Sequence, residues 1–194
     1  MGSMQRSTQE IEIKLPFDSP SAASQKLSRL GVEERTPRLF EDNIVFDRDD
    51  LSLKRADTVL RLRTKGERHV LTLKTPVEGE HRHRVRNEDE TDVTDFEATA
   101  RLLKRLGFAP RWRYQKYRTV YALDDLSICV DETPLGCFVE LEGPPEQIDR
   151  VAGDLGFVPE QHMRESYREL HERDAERRGV PPGDLLLEPA KDPS

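Results

Sequence analysis

Apolar and polar residues alternate strictly along Gln9–Leu15. Ile11, Ile13 and Leu15 fall on one parity, Glu10, Glu12 and Lys14 on the other. A period of two marks a strand whose two faces meet different surroundings. The same period predicts strands over Arg38–Asp47, Val59–Lys65, Arg68–Thr75, Glu80–Glu90, Arg111–Leu123, Leu126–Asp131 and Gly136–Glu142. Lys65-Gly66-Glu67 joins one pair as a hairpin, and Glu132-Thr133-Pro134-Leu135 joins another. Pro16 to Pro20 is expected to break the first strand.

Helical signals appear in four places. Ser19 is a good N-cap with Pro20 at the first helical position, so a helix is expected over Ser21–Leu30, stopping at Gly31. Asp92 is placed to cap a second helix over Val93–Leu106, where Val93, Phe96, Ala100, Leu103 and Leu106 form one apolar stripe. Pro144-Pro145 opens a third, Glu146–Leu155, closed by Gly156. A strongly charged fourth spans Glu165–Arg178. Asp49–Thr58 is expected to be a loop or one irregular turn. Gly179–Ser194 carries Pro181-Pro182-Gly183 and no capped pattern, so disorder is expected there, with Leu185-Leu186-Leu187 able to dock. Short turns between strands predict one α+β domain over 9–178 with a tail at 179–194. Its strands form a single antiparallel sheet system, with barrel and sandwich both open on this pattern.

Composition sharpens this picture. Of 194 residues, 36% are charged and only 35% hydrophobic, so charge must occupy places that apolar side chains usually fill. The net charge of -7 disfavours general nucleic-acid binding. No stretch approaches the roughly 20 apolar residues of a membrane-spanning helix. No basic-then-apolar leader opens the chain, and its two cysteines, Cys129 and Cys137, make neither a disulfide scaffold nor a zinc cluster; a reducing cytoplasm is expected.

The charges keep to one strand face. Arg61 and Arg63 oppose Leu60 and Leu62; Thr72 and Lys74 oppose Leu71 and Leu73. Arg82, Arg84, Arg86, Glu88 and Glu90 share a parity, as do Lys116 and Arg118. Glu140 and Glu142 oppose Val139 and Leu141, and Asp131 closes the strand before them. A half-buried sheet with its charges in water accounts for any one of these strands. For the set, the pattern recurs in nearly every strand, Ser, Thr and Gln are sparse on the charged faces, and the signs segregate by strand. These features favour an inverted sheet: a closed barrel of about eight strands, apolar side out beneath helices, charged side lining a wet lumen. Like charges at ~5 Å repel by roughly 3 kcal/mol at an effective dielectric of 20. A lumen of Arg and Lys needs an anion, and clustered carboxylates need cations. A polyphosphate with Mg²⁺ or Mn²⁺ satisfies both.

At these residues the chain resembles a known family. Glu10-x-Glu12-x-Lys14 is similar to the signature of the CYTH domain, the triphosphate tunnel metalloenzymes. In order there follow Val45-Phe46-Asp47, Leu60-Arg61-Leu62-Arg63, Leu71-Thr72-Leu73-Lys74, Arg86-Asn87-Glu88-Asp89-Glu90, Lys116-Tyr117-Arg118, Asp131 with Leu135-Gly136-Cys137-Phe138-Val139-Glu140-Leu141-Glu142, and Ser166-Tyr167. The resemblance spans roughly Gln9 to Leu170. It implies a tunnel-like antiparallel barrel that binds a triphosphate and a divalent metal. Members hydrolyse inorganic, thiamine or nucleoside triphosphates, and a minority cyclise ATP to cyclic AMP and pyrophosphate. Carried over, Glu10, Glu12, Glu140 and Glu142 are metal carboxylates, with Glu88, Glu90 and Asp131 as further candidates. Lys14, Arg61, Arg63, Lys74, Arg86, Lys116 and Arg118 hold phosphates. Glu12, Lys14 and Lys116 carry the catalysis, Lys14 assisting proton transfer if neighbouring cations depress its pKa. The leading expectation is hydrolysis, against a class IV adenylate cyclase, a non-catalytic polyphosphate-binding module and a plain charged sandwich. A homodimer through exposed barrel or helix faces is plausible.

Other residues are expected to be structural. His81 and His83 point outside the lumen as surface histidines. Cys129 is a packed thiol on the parity of Asp131. Trp112 could stack on an adenine or thiamine ring, but packing at the core or barrel rim is the leading expectation, and Phe46 and Tyr114 share that choice. Glu165–Arg178 is a solvated helix rather than a lid that brings Arg164 or Arg168 to phosphate.

Overall fold

The computed structural model describes residues 8–188. Eight antiparallel strands close into a barrel: β1 (Thr8–Phe17), β2 (Glu33–Asp47), β3 (Val59–Lys65), β4 (Arg68–Pro76), β5 (Arg84–Val93), β6 (Ala109–Leu123), β7 (Leu126–Thr133) and β8 (Gly136–Glu142). Around the wall the order is β1-β5-β4-β3-β2-β6-β7-β8. The helices α1 (Pro20–Ser28), α2 (Ser52–Arg55), α3 (Phe96–Arg105), α4 (Pro145–Asp154) and α5 (Tyr167–Arg178) lie outside it. Among the described residues no helix is long and apolar enough to cross a membrane.

The apolar parity does turn outward. Ile13, Leu15, Ile128, Val130, Val139 and Leu141 pack under α1 and α4, against Leu27, Ile148 and Val151. Phe46, Leu60 and Leu62 pack with Leu103 of α3. A third apolar cluster sits on the charged parity itself. Val45, Trp112, Tyr114 and Phe138 meet Tyr167 and Leu170 of α5. Tyr167, Leu170, His171 and Ala175 are all buried, so α5 packs across the barrel and is not a wholly solvated helix.

Local signals hold where side chains decide the element. The Ser19 hydroxyl accepts the Ala22 amide at 3.2 Å, and Ser166 caps α5 in a reciprocal box with Glu169. They shift where pairing decides. Pro16 does not end β1, because beyond Glu12 the strand leaves β5 and pairs with β8, leaving the proline one neighbouring strand instead of two. β5 starts at Arg84, four residues later than expected, because Glu12 of β1 pairs with Arg84 and Pro76 of β4 with Arg86. Its far end then takes Val93 into the sheet opposite His69. Asp95, not Asp92, caps α3, its carboxylate accepting the Ala98 amide at 2.8 Å. After Gly179 the chain, expected to be disordered, meets β6 at Gly183–Leu185, and Leu185 is 4% exposed. Residues 189–194 fall outside the described part.

Candidate active site

The inward parity gathers charge from most of the wall. Glu10, Glu12 and Lys14 of β1, Arg61 of β3, Arg86 of β5, Lys116 of β6, Asp131 of β7 and Glu140 of β8 are all buried. A cavity of about 220 Å³ is lined by Glu10, Glu12, Lys14, Arg61, Arg63, Lys74, Arg84, Arg86, Lys116, Arg118 and Glu140. Strands far apart in sequence place these groups, because each contributes alternate side chains to the same interior.

The acids and bases pair closely. Lys14 Nζ lies 2.8 Å from Glu12 Oε1 and 3.4 Å from Glu140 Oε1. Lys74 donates to both Glu10 oxygens at 2.5 and 2.6 Å and lies 3.4 Å from Glu88. Asp131 is fully enclosed, accepting from Lys116 at 2.7 Å, from Arg118 Nε at 2.6 Å and from the Tyr167 hydroxyl at 2.7 Å. Arg118 also donates to Glu140. Asp131, expected as a further metal candidate, therefore holds two cations in place, with four donors reaching its oxygens.

Protonation follows from this crowding. Burial alone would lower the Lys14 ammonium, but Glu12 and Glu140 outweigh it and raise its pKa. Lys14 therefore stays charged, contrary to the expectation that cations depress it. Burial pushes Glu12 and Glu140 up, yet Lys14 and Arg118 respectively hold each below the usual carboxylate range. Glu10 is raised by burial, helped by Glu12 and Glu88 and opposed by Lys74. Glu142 is pushed up to about 7, by burial first and then by Glu10 and Glu12.

The other expected residues divide. Glu142 pairs with Glu12 across the β1–β8 seam and is half-buried. Glu88 is half-buried beside Lys74 and Arg61, whereas Glu90 is exposed and touches the Thr72 hydroxyl instead of the cavity. Arg86 lines the cavity but is held by Asp57. Arg82 lies outside β5 and pairs with Asp149 at 3.3 Å. His83 is buried, with Nε2 at 2.9 Å from Asp149, because α4 covers the start of β5. Cys129 is a packed thiol, raised to about 11 chiefly by burial. Phe46 packs under α3.

Two residues at the site, Glu41 and Asn43, had not been singled out. Glu41 is 0% exposed, with Arg63, Lys65 and Lys116 at 3.5, 3.7 and 3.9 Å. Asn43 accepts from Arg63 Nε at 2.8 Å and donates to the Tyr114 carbonyl at 3.3 Å. The alternation Glu41-x-Asn43-x-Val45-x-Asp47 carried the signal. Tyr114 accepts from Arg61 at 3.1 Å. Burial would raise its phenol, but Arg61, Arg63 and Lys116 bring it down to about 8. Trp112 stacks on Tyr114 with ring centroids 4.7 Å apart. The Tyr167 ring lies 5.4 Å from Lys14 Nζ and 5.0 Å from Lys116 Nζ.

The CYTH domain family model matches residues 8–167. The chain belongs to the CYTH domain family. Solved structures with this CYTH fold include a protein of Pyrococcus horikoshii at 25% identity and TM-score 0.71, covering 83% of this chain and 98% of that one. A proposed adenylate cyclase of Vibrio parahaemolyticus aligns at 16% identity and TM-score 0.75, covering 85% and 98%. A Hippeastrum protein described as having a dominant triphosphatase activity aligns at 22% and 0.55, covering 89% and 96%. Comparison with curated protein sequences gives no match.

CYTH proteins generally depend on a divalent metal, and this donor set can be tested against one. Among the described residues no three His, Cys, Asp or Glu side chains stand together as a formed metal cage. Glu10, Glu12 and Glu140 are each turned to a cation instead. Their chemistry nonetheless fits. Glu10, Glu12 and Glu140 line one cavity, and Glu142, raised first by burial and then by Glu10 and Glu12, stands near them; a hard divalent cation would relieve that like charge.

Proposed function

We propose that this CYTH protein is a divalent-metal-dependent hydrolase of triphosphates. One observation carries the reading. Lys14, Arg61, Arg63, Lys74, Lys116 and Arg118 converge on one cavity that also holds Glu10, Glu12 and Glu140. A chain of phosphates matches that density of cations, and Arg forks suit its oxygens. The cavity of about 220 Å³ lies below the roughly 300 Å³ at which sites for whole drug-sized ligands begin. That volume suits a triphosphate chain better than a whole nucleotide.

Binding exchanges carboxylate partners for phosphate oxygens. Arg61, Arg63 and Lys74 hold one side of the chain, Lys116 and Arg118 the other. Lys14 anchors between Glu12 and Glu140. Mg²⁺ or Mn²⁺, held by Glu12 and Glu140 with Glu10 or Glu142, would neutralise phosphate oxygens and acidify a bound water. Water adds to the terminal phosphorus as its bond to the bridging oxygen breaks. The cations stabilise the charge left on that oxygen, so positioning and charge neutralisation supply the rate. Two observations favour a cyclase as the second reading: Trp112 and Tyr114 line the cavity, and a fold relative is a proposed adenylate cyclase. There the ribose 3′-hydroxyl attacks the α-phosphorus and expels pyrophosphate.

Incubating the protein with inorganic triphosphate, thiamine triphosphate and ATP, each with Mg²⁺ or Mn²⁺, separates the readings. Orthophosphate supports the hydrolase, and cyclic AMP with pyrophosphate supports the cyclase. Triphosphate binding without turnover would leave a binding module. No binding at all would overturn the phosphate reading.

A further inference from the structure

β6 is paired unevenly. β2 follows it from Ala109 to Ala122, but β7 joins only from Tyr117 onward. The first half of β6 thus presents an open edge on the β7 side, and open edges need a partner. The C-terminal segment supplies one. The Leu185 amide donates to the Arg113 carbonyl at 2.9 Å, and the Gln115 amide donates to the Leu185 carbonyl at 2.9 Å. Those two bonds make a parallel bridge centred on Tyr114. The Arg113 amide donates to the Asp184 carboxylate at 2.9 Å. Trp112 Nε1 donates to the Gly183 carbonyl at 3.2 Å, and His171 Nε2 lies 3.0 Å from the same oxygen. The Leu185 side chain is buried among Trp112, Tyr114 and Tyr167. This added strand lies beyond Tyr167, where the family match ends.

The contacts continue inward. Trp112 stacks on Tyr114, and the Tyr114 hydroxyl accepts from Arg61. Both rings line the cavity. We propose that Gly183–Leu185 is a positioning element of the phosphate cradle, holding Trp112 and Tyr114, and through the Tyr114 hydroxyl the guanidinium of Arg61. The proposal rests on the phosphate reading of the cavity. Its cause is local: without the strap the 113–115 edge frays, the aromatic pair loses its backing, and Arg61 loses an acceptor.

The test uses the full chain carrying Leu185→Asp, which places a charge where the strap is buried. Asp184→Ala, which removes one hydrogen bond only, is the milder companion. Trp112 is the sole tryptophan, so its emission reports directly on the strap. Both variants should shift that emission to the red without ligand, Leu185→Asp more. Leu185→Asp should raise KM for tripolyphosphate about tenfold with kcat within about twofold, the size of one hydrogen bond to a charged group. Tyr114→Phe should raise KM similarly, and adding Leu185→Asp to it should change little further, because both act through one hydroxyl. Unchanged emission in Leu185→Asp overturns the strap's hold on Trp112. KM effects that multiply in the double variant overturn the route through Tyr114. A wild-type protein that neither binds nor hydrolyses tripolyphosphate sinks the phosphate reading and the cradle role with it. The ligand-free emission still decides the strap's placement.

Discussion

Asp131→Asn removes one negative charge at nearly constant volume from a point where four donors converge. The carboxylate is 0% exposed and accepts from Lys116, from two Arg118 nitrogens and from Tyr167. Arg118 keeps Glu140, but the nearest other acid to Lys116 is Glu41 at 3.9 Å. Lys116 is 2% exposed, so outside the cavity it has no bulk solvent to replace the lost partner. Breaking a buried pair on one side costs about 3–5 kcal/mol. For a domain of this size that lowers Tm by roughly 6–20 °C. The cavity reading adds a second limb: tripolyphosphate supplies the missing negative charge, so the deficit shrinks when it saturates the protein. Urea and thermal unfolding, each with and without tripolyphosphate and Mg²⁺, measure both limbs. A loss below about 1 kcal/mol would refute the enclosed-network reasoning. A deficit indifferent to tripolyphosphate would refute the placement of phosphate beside Lys116 and Arg118.

Glu12→Ala is expected to lower kcat by at least about 100-fold while weakening tripolyphosphate binding much less, because its carboxylate serves the reacting end; steady-state kinetics with saturating metal check it. Arg61→Ala should raise KM, since a phosphate-holding guanidinium is lost while Glu12 and Glu140 stay. Arg63, Lys116, Arg118 and Lys65 outweigh burial and bring Glu41 down to about 2, below its ordinary 4.5. Its folded pKa is the lower one, so its contribution is fully present above about pH 4.5 and disappears as pH falls toward 2. Stability curves of Glu41→Gln should accordingly be flatter than wild type across that window. Glu142, near 7 in the metal-free protein, should release a proton when Mg²⁺ or Mn²⁺ binds at pH 6–7. Calorimetry in buffers of different ionisation heat reads this directly, and equal heats in all buffers would count against Glu142 as a ligand.

Much of the barrel was legible because parity is a property of the chain itself. Glu10, Glu12 and Lys14 face the cavity simply because Ile11, Ile13 and Leu15 face α1 and α4. What parity cannot show is which neighbour each strand finds. The start of β5 at Arg84, the survival of Pro16 within β1 and the transfer of the cap from Asp92 to Asp95 all depend on registers between distant segments. Partnership inside the lumen was equally hidden. Asp131 and Glu140 look alike in sequence, yet Asp131 is enclosed by Lys116, Arg118 and Tyr167 while Glu140 faces the cavity. Trp112 and Tyr114 fall on the charged parity, but only α5 and the strap explain why aromatic rings occupy it.

The seam between β1 and β8 sets an order of assembly. Phe17 pairs with Cys137 and Glu12 with Glu142, so the barrel's first strand in chain order is held by its eighth. At roughly 5–20 residues per second, β1 waits on the order of 6–25 s for that neighbour. Meanwhile Ile13 and Leu15 have α1 beside them but lack β8 and α4, the rest of their cover. Nascent chains stalled before Gly136 should therefore be caught by chaperones through β1, and release past Glu142 should free them.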